Sequence, residues 1–161
     1  MKTAIFAGSF DPITRGHENI VLKALPLFDE IIISIGVNIN KKYEFQLEDR
    51  IRWIKNTFEN YDKVKVVNYE GLTVDFCKKM NARYIIRGIR NTNDFDYENL
   101  IAETNKQLAP EIETVFFVPD LNMRCISSTL VRDIMKNGGD VSMFVPEKAR
   151  FYERVELKEW K

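Results

Sequence analysis

The sequence predicts a doubly wound α/β fold: five parallel strands in one sheet, with helices on both faces. Three observations carry that prediction. Five short apolar runs, several rich in β-branched residues and lacking polar alternation, suit strands buried on both sides. The stretches between them change to a helical period. A length of 161 residues suits one domain with a real core, so residues 1–161 are read as a single domain.

The first run, residues 3–7 (TAIFA), ends at Gly8. Ile20, Val21, Ala24 and Leu25 then form a helical stripe that stops near Pro26. Residues 31–37 (IIISIGV) make the second strand. Leu47, Ile51, Ile54 and Phe58 follow at steps of four, three and four, with Glu48, Asp49, Arg52, Lys55 and Glu59 on the other face. Strand three spans 64–67, and a shorter helix covers 74–80 with Asn81 as its stop. Strand four spans 84–86 and leads to a helix over 93–108 ahead of Pro110. Strand five spans 114–118, and a helix over 129–136 ends at Gly138 and Gly139. Pro146 fits the first turn of a last helix.

Composition narrows the function. Lys and Arg total 24, as do Asp and Glu, with one His, which argues against bulk attraction to nucleic acid or an anionic membrane. Cys77 and Cys125 form no C-x-x-C pattern, so reduced thiols in a cytoplasmic protein are expected, with no metal ligand set. No apolar stretch approaches a membrane span, and the N-terminus lacks a secretory h-region.

In doubly wound folds ligands bind beyond the carboxyl ends of the strands, so chemistry belongs in the five loops that follow them. The first loop carries Gly8, Ser9, Phe10, Asp11 and Pro12, then Thr14, Arg15, Gly16 and His17. Thr14 is placed to cap a helix whose first turn holds His17, where free N–H groups and the helix dipole favour phosphate. The second loop carries Lys41 and Lys42, and the fourth carries Arg87-Gly88-Ile89-Arg90, two guanidiniums able to grip phosphate. Taken alone, these are ordinary surface charges, with Asp94 and Asp96 near enough to balance the arginines. The fifth loop reaches Ile126-Ser127-Ser128-Thr129 at a helix start, where one hydroxyl suffices for the cap and two are left for a ligand. Glu70-Gly71-Leu72-Thr73 in the third is the least polar, a wall for an uncharged part of a substrate. Together the loops gather a cationic, hydroxyl-rich edge. No Ser-His-Asp or Cys-His arrangement, P-loop or G-x-G-x-x-G accompanies it, so transfer by positioning and charge stabilisation is expected.

Gly8-Ser9-Phe10-Asp11-Pro12 with Thr14-x-Gly16-His17, Arg87-Gly88-Ile89-Arg90 and Ile126-Ser127-Ser128-Thr129 resembles the nucleotidyltransferase superfamily with H-x-G-H and I-S-S-T motifs. Within it the chain is similar to the bacterial phosphopantetheine adenylyltransferases over nearly its whole length, including Thr for the first His of H-x-G-H. The resemblance implies a Rossmann-like nucleotidyltransferase fold and the reaction of ATP with 4′-phosphopantetheine to give dephospho-coenzyme A and pyrophosphate, with Mg²⁺. It implies His17, Lys41 and Arg90 as catalytic residues, His17 holding the α-phosphate as charge builds. Ser9, Phe10, Gly88, Ile89, Arg90, Glu98, Met123, Arg124, Cys125, Ile126, Ser127, Ser128 and Thr129 would bind ATP. Ser9, Lys41, Thr73 and Arg87 would bind the acceptor. A homohexamer and feedback binding of coenzyme A are also implied. Ser9 stands where Thr is common, and residues 38–42 (NINKK) lack the proline often found before the lysines. A cytidylyltransferase for a polyol phosphate, a nicotinamide mononucleotide adenylyltransferase and a non-catalytic nucleotide sensor remain as alternatives.

Overall fold

The computed structural model describes residues 1–38 and 40–153, so Ile39 of the NINKK loop and the last eight residues of the expected domain lie outside the described residues. In chain order the elements are β1 (Thr3–Gly8), α1 (Arg15–Ala24), β2 (Glu30–Gly36), α2 (Leu47–Thr57), β3 (Val64–Tyr69), α3 (Thr73–Lys79), β4 (Tyr84–Gly88), α4 (Thr92–Leu108), β5 (Glu113–Phe117) and α5 (Ser128–Lys136). All pairings are parallel and the sheet order is β3-β2-β1-β4-β5. The fold is the doubly wound α/β sheet expected.

Period-two alternation explains how one strand serves two cores. Ala4 and Phe6 of β1, Ile31, Ile33 and Ile35 of β2 and Ile86 of β4 face one side, against Ile20 and Val21 of α1, Trp53 and Ile54 of α2, and Val131 and Met135 of α5. Ile5 and Ala7, Ile32 and Ile85 face the other, against Val74, Phe76 and Cys77 of α3. The outer strands depart from this pattern. β3 mixes half-buried and exposed positions and β5 is half-buried after an exposed Glu113, in keeping with edge strands that have a single neighbour. α4 has no buried residue and leaves Phe95, Tyr97, Leu100 and Leu108 exposed.

Helix ends follow the expected chemistry. Asn81 adopts φ +52° just after α3, and Gly138 adopts φ +76° after α5. The helix expected at Pro146 is instead a 3-10 turn, Glu147–Ala149, because Arg150 takes a left-handed conformation (φ +53°) and ends it. Among the described residues, no helix is long and apolar enough to cross a membrane.

The chain winds from β1 outward through β2 to β3, then returns to place β4 on the other side of β1. The crossovers leaving β1 and β4 therefore diverge, opening a crevice at the carboxyl ends of these two strands. The functional loops are built around it.

Candidate active site

A cavity of about 330 Å³ occupies that crevice, lined by the ends of β1 and β4, the first turn of α1 and the loop before α5. Its walls include Ser9, Phe10, His17, Arg87, Gly88, Arg90, Glu98, Met123, Ile126, Ser127 and Ser128. Eleven of the residues expected from sequence thus meet at one place.

His17 is set by its helix. Thr14 is the N-cap of α1 and His17 the third residue of its first turn. The Thr14 hydroxyl accepts the His17 backbone N–H at 3.4 Å, and the His17 ring returns to the cap, its Nδ1 lying 3.0 Å from the Thr14 backbone nitrogen. This is a capping box with His in the place usually taken by Glu or Gln. A backbone N–H can only donate, so Nδ1 is an acceptor and the ring proton resides on Nε2. The ring lies against Phe10 with centroids 5.0 Å apart. Burial first, then the charges of Arg90 and Arg87, lower its pKa to about 4. At neutral pH His17 is an uncharged N–H donor, not one of the cations expected at this edge.

The loop between β1 and α1 is tied down at almost every residue. Arg50 of α2 donates to the Ser9 carbonyl at 2.8 Å, Arg132 of α5 to the Asp11 carbonyl at 2.6 Å, and the Ser128 hydroxyl to the Pro12 carbonyl at 2.7 Å. The buried Asp11 carboxylate accepts the backbone N–H groups of Glu44 and Phe45, both at 2.9 Å. Phe10 holds φ +45°, an uncommon conformation for a bulky residue, and its ring fills the space beside Gly8. A Cβ on Gly8 would stand 3.1 Å from that ring, and one on Gly16 would stand 3.4 Å from the Ile126 carbonyl oxygen. These glycines serve close packing of the loops on one another.

The two arginines are held by carboxylates from α4. Glu98 receives Arg87 through Nε and Nη2, the latter at 2.6 Å, while Arg87 Nη1 donates to the Ala7 carbonyl at 3.0 Å. Arg90 donates Nε to Asp94 at 2.8 Å. Burial pushes the Asp94 carboxyl up, but the hydrogen bonds and charge of Arg90 outweigh it and keep it below its ordinary value. Asp94 does balance Arg90, as the plainer reading of the sequence had it; Arg87 turns to Glu98, eleven residues on, rather than to Asp96. Both guanidiniums still line the cavity.

Other expected residues stand elsewhere. Ile89 donates its N–H to the Phe117 carbonyl and Arg124 Nε to that of Pro119; Cys125 is exposed; none of them lines the cavity. Thr73, the first residue of α3, bonds the hydroxyl of Tyr69 at the end of β3 at 2.7 Å. Lys41 is exposed beyond β2. Each hydroxyl at residues 127–129 has one protein partner: Ser127 caps α5 at the Leu130 N–H, Ser128 donates to the Pro12 carbonyl, and Thr129 accepts from Arg132, while Ser127 and Ser128 also line the cavity. Of these, the Ser128 bond ties the helix start to the β1 loop, and the other two lie within α5 and its cap. Arg50 and the holding role of the Asp11 carboxylate escaped the sequence reading, whereas Asp94, four residues after Arg90, was legible there.

Crevice, capped histidine and paired arginines define a nucleotidyltransferase, and comparison with known proteins agrees. The cytidylyltransferase-like family matches residues 5–134. In overall fold the chain is similar to the crystal structure of a bifunctional NMN adenylyltransferase/ADP ribose pyrophosphatase from Francisella tularensis, with a TM-score of 0.70 and 17% identity over 97% of this chain and 51% of that one. It is 55% identical over 150 residues to the phosphopantetheine adenylyltransferase of Flavobacterium psychrophilum, covering 93% of this chain and 99% of that protein. It is 44% identical to that of Bacteroides thetaiotaomicron, covering 91% and 97%. The chain belongs to the phosphopantetheine adenylyltransferase family.

Proposed function

We propose that this chain transfers the adenylyl group of ATP to 4′-phosphopantetheine, giving dephospho-coenzyme A and pyrophosphate. The observation that carries this reading is the neutral His17, its Nε2–H free of the cap, in a cavity that also holds two arginines and Ser9. An oxygen of the acceptor phosphate attacks the α-phosphorus of ATP, and the bond to the β-phosphate bridging oxygen breaks. The acceptor's second ionisation lies near ~6, so it arrives largely anionic and no general base is required. His17 donates to a non-bridging oxygen of the α-phosphate as charge grows there. Arg90 meets the nucleotide phosphates, while Arg87 and Lys41 meet the acceptor phosphate. Ser9 stands between the two substrates, and residues 123–129 border the nucleoside.

Mg²⁺ belongs to this reading as a companion of the triphosphate. The described residues gather no three His, Cys, Asp or Glu side chains able to hold a metal, and the cavity carboxylates Asp94 and Glu98 are engaged by arginines. The chain's own residues do not fit a resident metal, and no step is routed through one. The exposed apolar face of α4 supports self-association, with a homohexamer as the proposed form. Coenzyme A, which contains the product, is the proposed feedback ligand of the same cavity, and the cytoplasm the proposed location.

Pyrophosphate release measured with ATP or CTP against 4′-phosphopantetheine, glycerol 3-phosphate and nicotinamide mononucleotide tests the reading. Turnover only with ATP and 4′-phosphopantetheine supports it; preference for another pair, or no turnover at all, overturns it.

A further inference from the structure

Tyr43 lies in the loop after β2, between the lysine pair and α2. Its hydroxyl donates to the Gly36 carbonyl at 3.1 Å and accepts the Asn38 N–H at 3.2 Å. Its ring carries the Arg50 guanidinium 4.1 Å from the centroid and the Lys41 ammonium 5.5 Å from it. Arg50 is 2% exposed, and Nη1 of the same guanidinium donates to the Ser9 carbonyl. Its Nε is buried with no hydrogen-bond partner, so this guanidinium is placed for its reach between two loops and is not fully satisfied. The two residues after Tyr43, Glu44 and Phe45, are held by the Asp11 carboxylate. Lys41 therefore hangs between a fixed start at Gly36 and a fixed end at Asp11, with Tyr43 beneath it. Among the described residues no carboxylate pairs with Lys41.

We infer that Tyr43 is a positioning residue that holds Lys41 in register with Ser9, through Arg50, so that the acceptor phosphate is presented to the nucleotide. The inference rests on the assignment of Lys41 to the acceptor phosphate. A lysine side chain is a flexible point charge with much rotamer freedom. The ring attracts it weakly at an exposed site, enough to bias its position without competing with a phosphate dianion. Within the loop the Asn38 side chain accepts the Asn40 N–H at 2.9 Å and the Asn38 carbonyl accepts the Lys41 N–H at 3.0 Å, and Tyr43 adds a constraint on this turn from the other side. Because the contacts of Tyr43 run to Lys41, Arg50, Gly36 and Asn38 and not to Arg90, which meets the nucleotide phosphates, its loss is expected to fall chiefly on the acceptor.

The test measures KM for 4′-phosphopantetheine and for ATP, with kcat, by pyrophosphate release in Tyr43→Ala, Tyr43→Phe, Lys41→Ala and the Tyr43→Ala/Lys41→Ala pair. Tyr43 is only half-buried, and Tyr43→Phe keeps the ring, so folding is preserved in at least one variant. Tyr43→Ala is expected to raise the acceptor KM about tenfold, the scale set by two lost hydrogen bonds and a ring contact, with the ATP KM within about twofold. Tyr43→Phe, which retains the ring, is expected to raise it only about threefold. In the Lys41→Ala background, Tyr43→Ala is expected to add less than about twofold, since partners acting through one group are not additive. An unchanged acceptor KM in Tyr43→Ala, an equal rise in both KM values, or full additivity with Lys41→Ala would overturn the inference and leave the Lys41 assignment standing. An unchanged acceptor KM in Lys41→Ala itself would overturn that assignment and the inference together.

Discussion

The backbone N–H of Thr14 points at Nδ1 of His17 from 3.0 Å, so the cap of the first helix also sets the tautomer of the only histidine in the chain. The proton left on Nε2 is available to a ligand in the cavity. The same contact keeps the ring from accepting a second proton easily, since protonating Nδ1 would place two N–H donors face to face.

One consequence concerns acid. With its pKa at about 4 in the folded protein against an ordinary 6.5, His17 binds fewer protons folded than unfolded between those values. Its contribution to stability is therefore complete above about pH 6.5 and is lost as pH falls toward 4. Nitrogen-15 NMR of the single imidazole is expected to report the Nε2–H tautomer and no titration between pH 5.5 and 8 (a window of roughly that width following from the lowered value). A midpoint near 6.5 would show a solvated ring instead.

A second prediction concerns the donor itself. His17→Ala is expected to lower kcat by roughly 10²-fold, with a smaller change in either KM, as for loss of a hydrogen bond made chiefly in the transition state. Steady-state kinetics at saturating ATP check this, and an unchanged kcat removes His17 from the chemistry.

Glu98 is expected to act through Arg87. Glu98→Gln breaks the two-point ion pair and is predicted to raise the acceptor KM by roughly fivefold, about 1 kcal/mol of positioning. The competing outcome, a rise confined to the ATP KM, would place Glu98 against the nucleotide.

Asp11 is a scaffold group whose loss is read in stability. It is 5% exposed and satisfies two backbone N–H groups of the neighbouring loop. Asp11→Ala leaves both donors unpaired and is expected to cost ~1–3 kcal/mol, or roughly 3–10 °C in melting temperature for a domain of this size. Calorimetry measures it; a change below 1 °C would mean that water replaces the carboxylate without cost.

The sheet was legible because uninterrupted runs such as IIISIGV suit little other than a strand covered on both faces. The site was legible to the extent that its residues sit at strand ends, as Ser9, Arg87 and Arg90 do, or in the first turn of the helix that follows, as His17 does. What sequence did not reveal is how those residues are held. The Asp11 carboxylate reaches loop residues more than thirty positions away, and Arg50 spans from α2 to Ser9, contacts that exist only once β1 and β2 are paired. The Ser128 hydroxyl is held in the same way, since its partner Pro12 adjoins it only after folding, whereas Thr129 meets Arg132 within its own helix. Periodicity carries no record of either arrangement.

Adenylyl transfer as proposed leaves the α-phosphate of ATP bonded to the phosphate of 4′-phosphopantetheine. Incubation with ATP radiolabelled at the α-phosphorus and 4′-phosphopantetheine tests it directly, with the labelled product separated and weighed against pyrophosphate. Label is expected in dephospho-coenzyme A in one-to-one ratio with pyrophosphate, and almost none with His17→Ala over the same interval. Label remaining in ATP, or released as AMP without joining the acceptor, would contradict it.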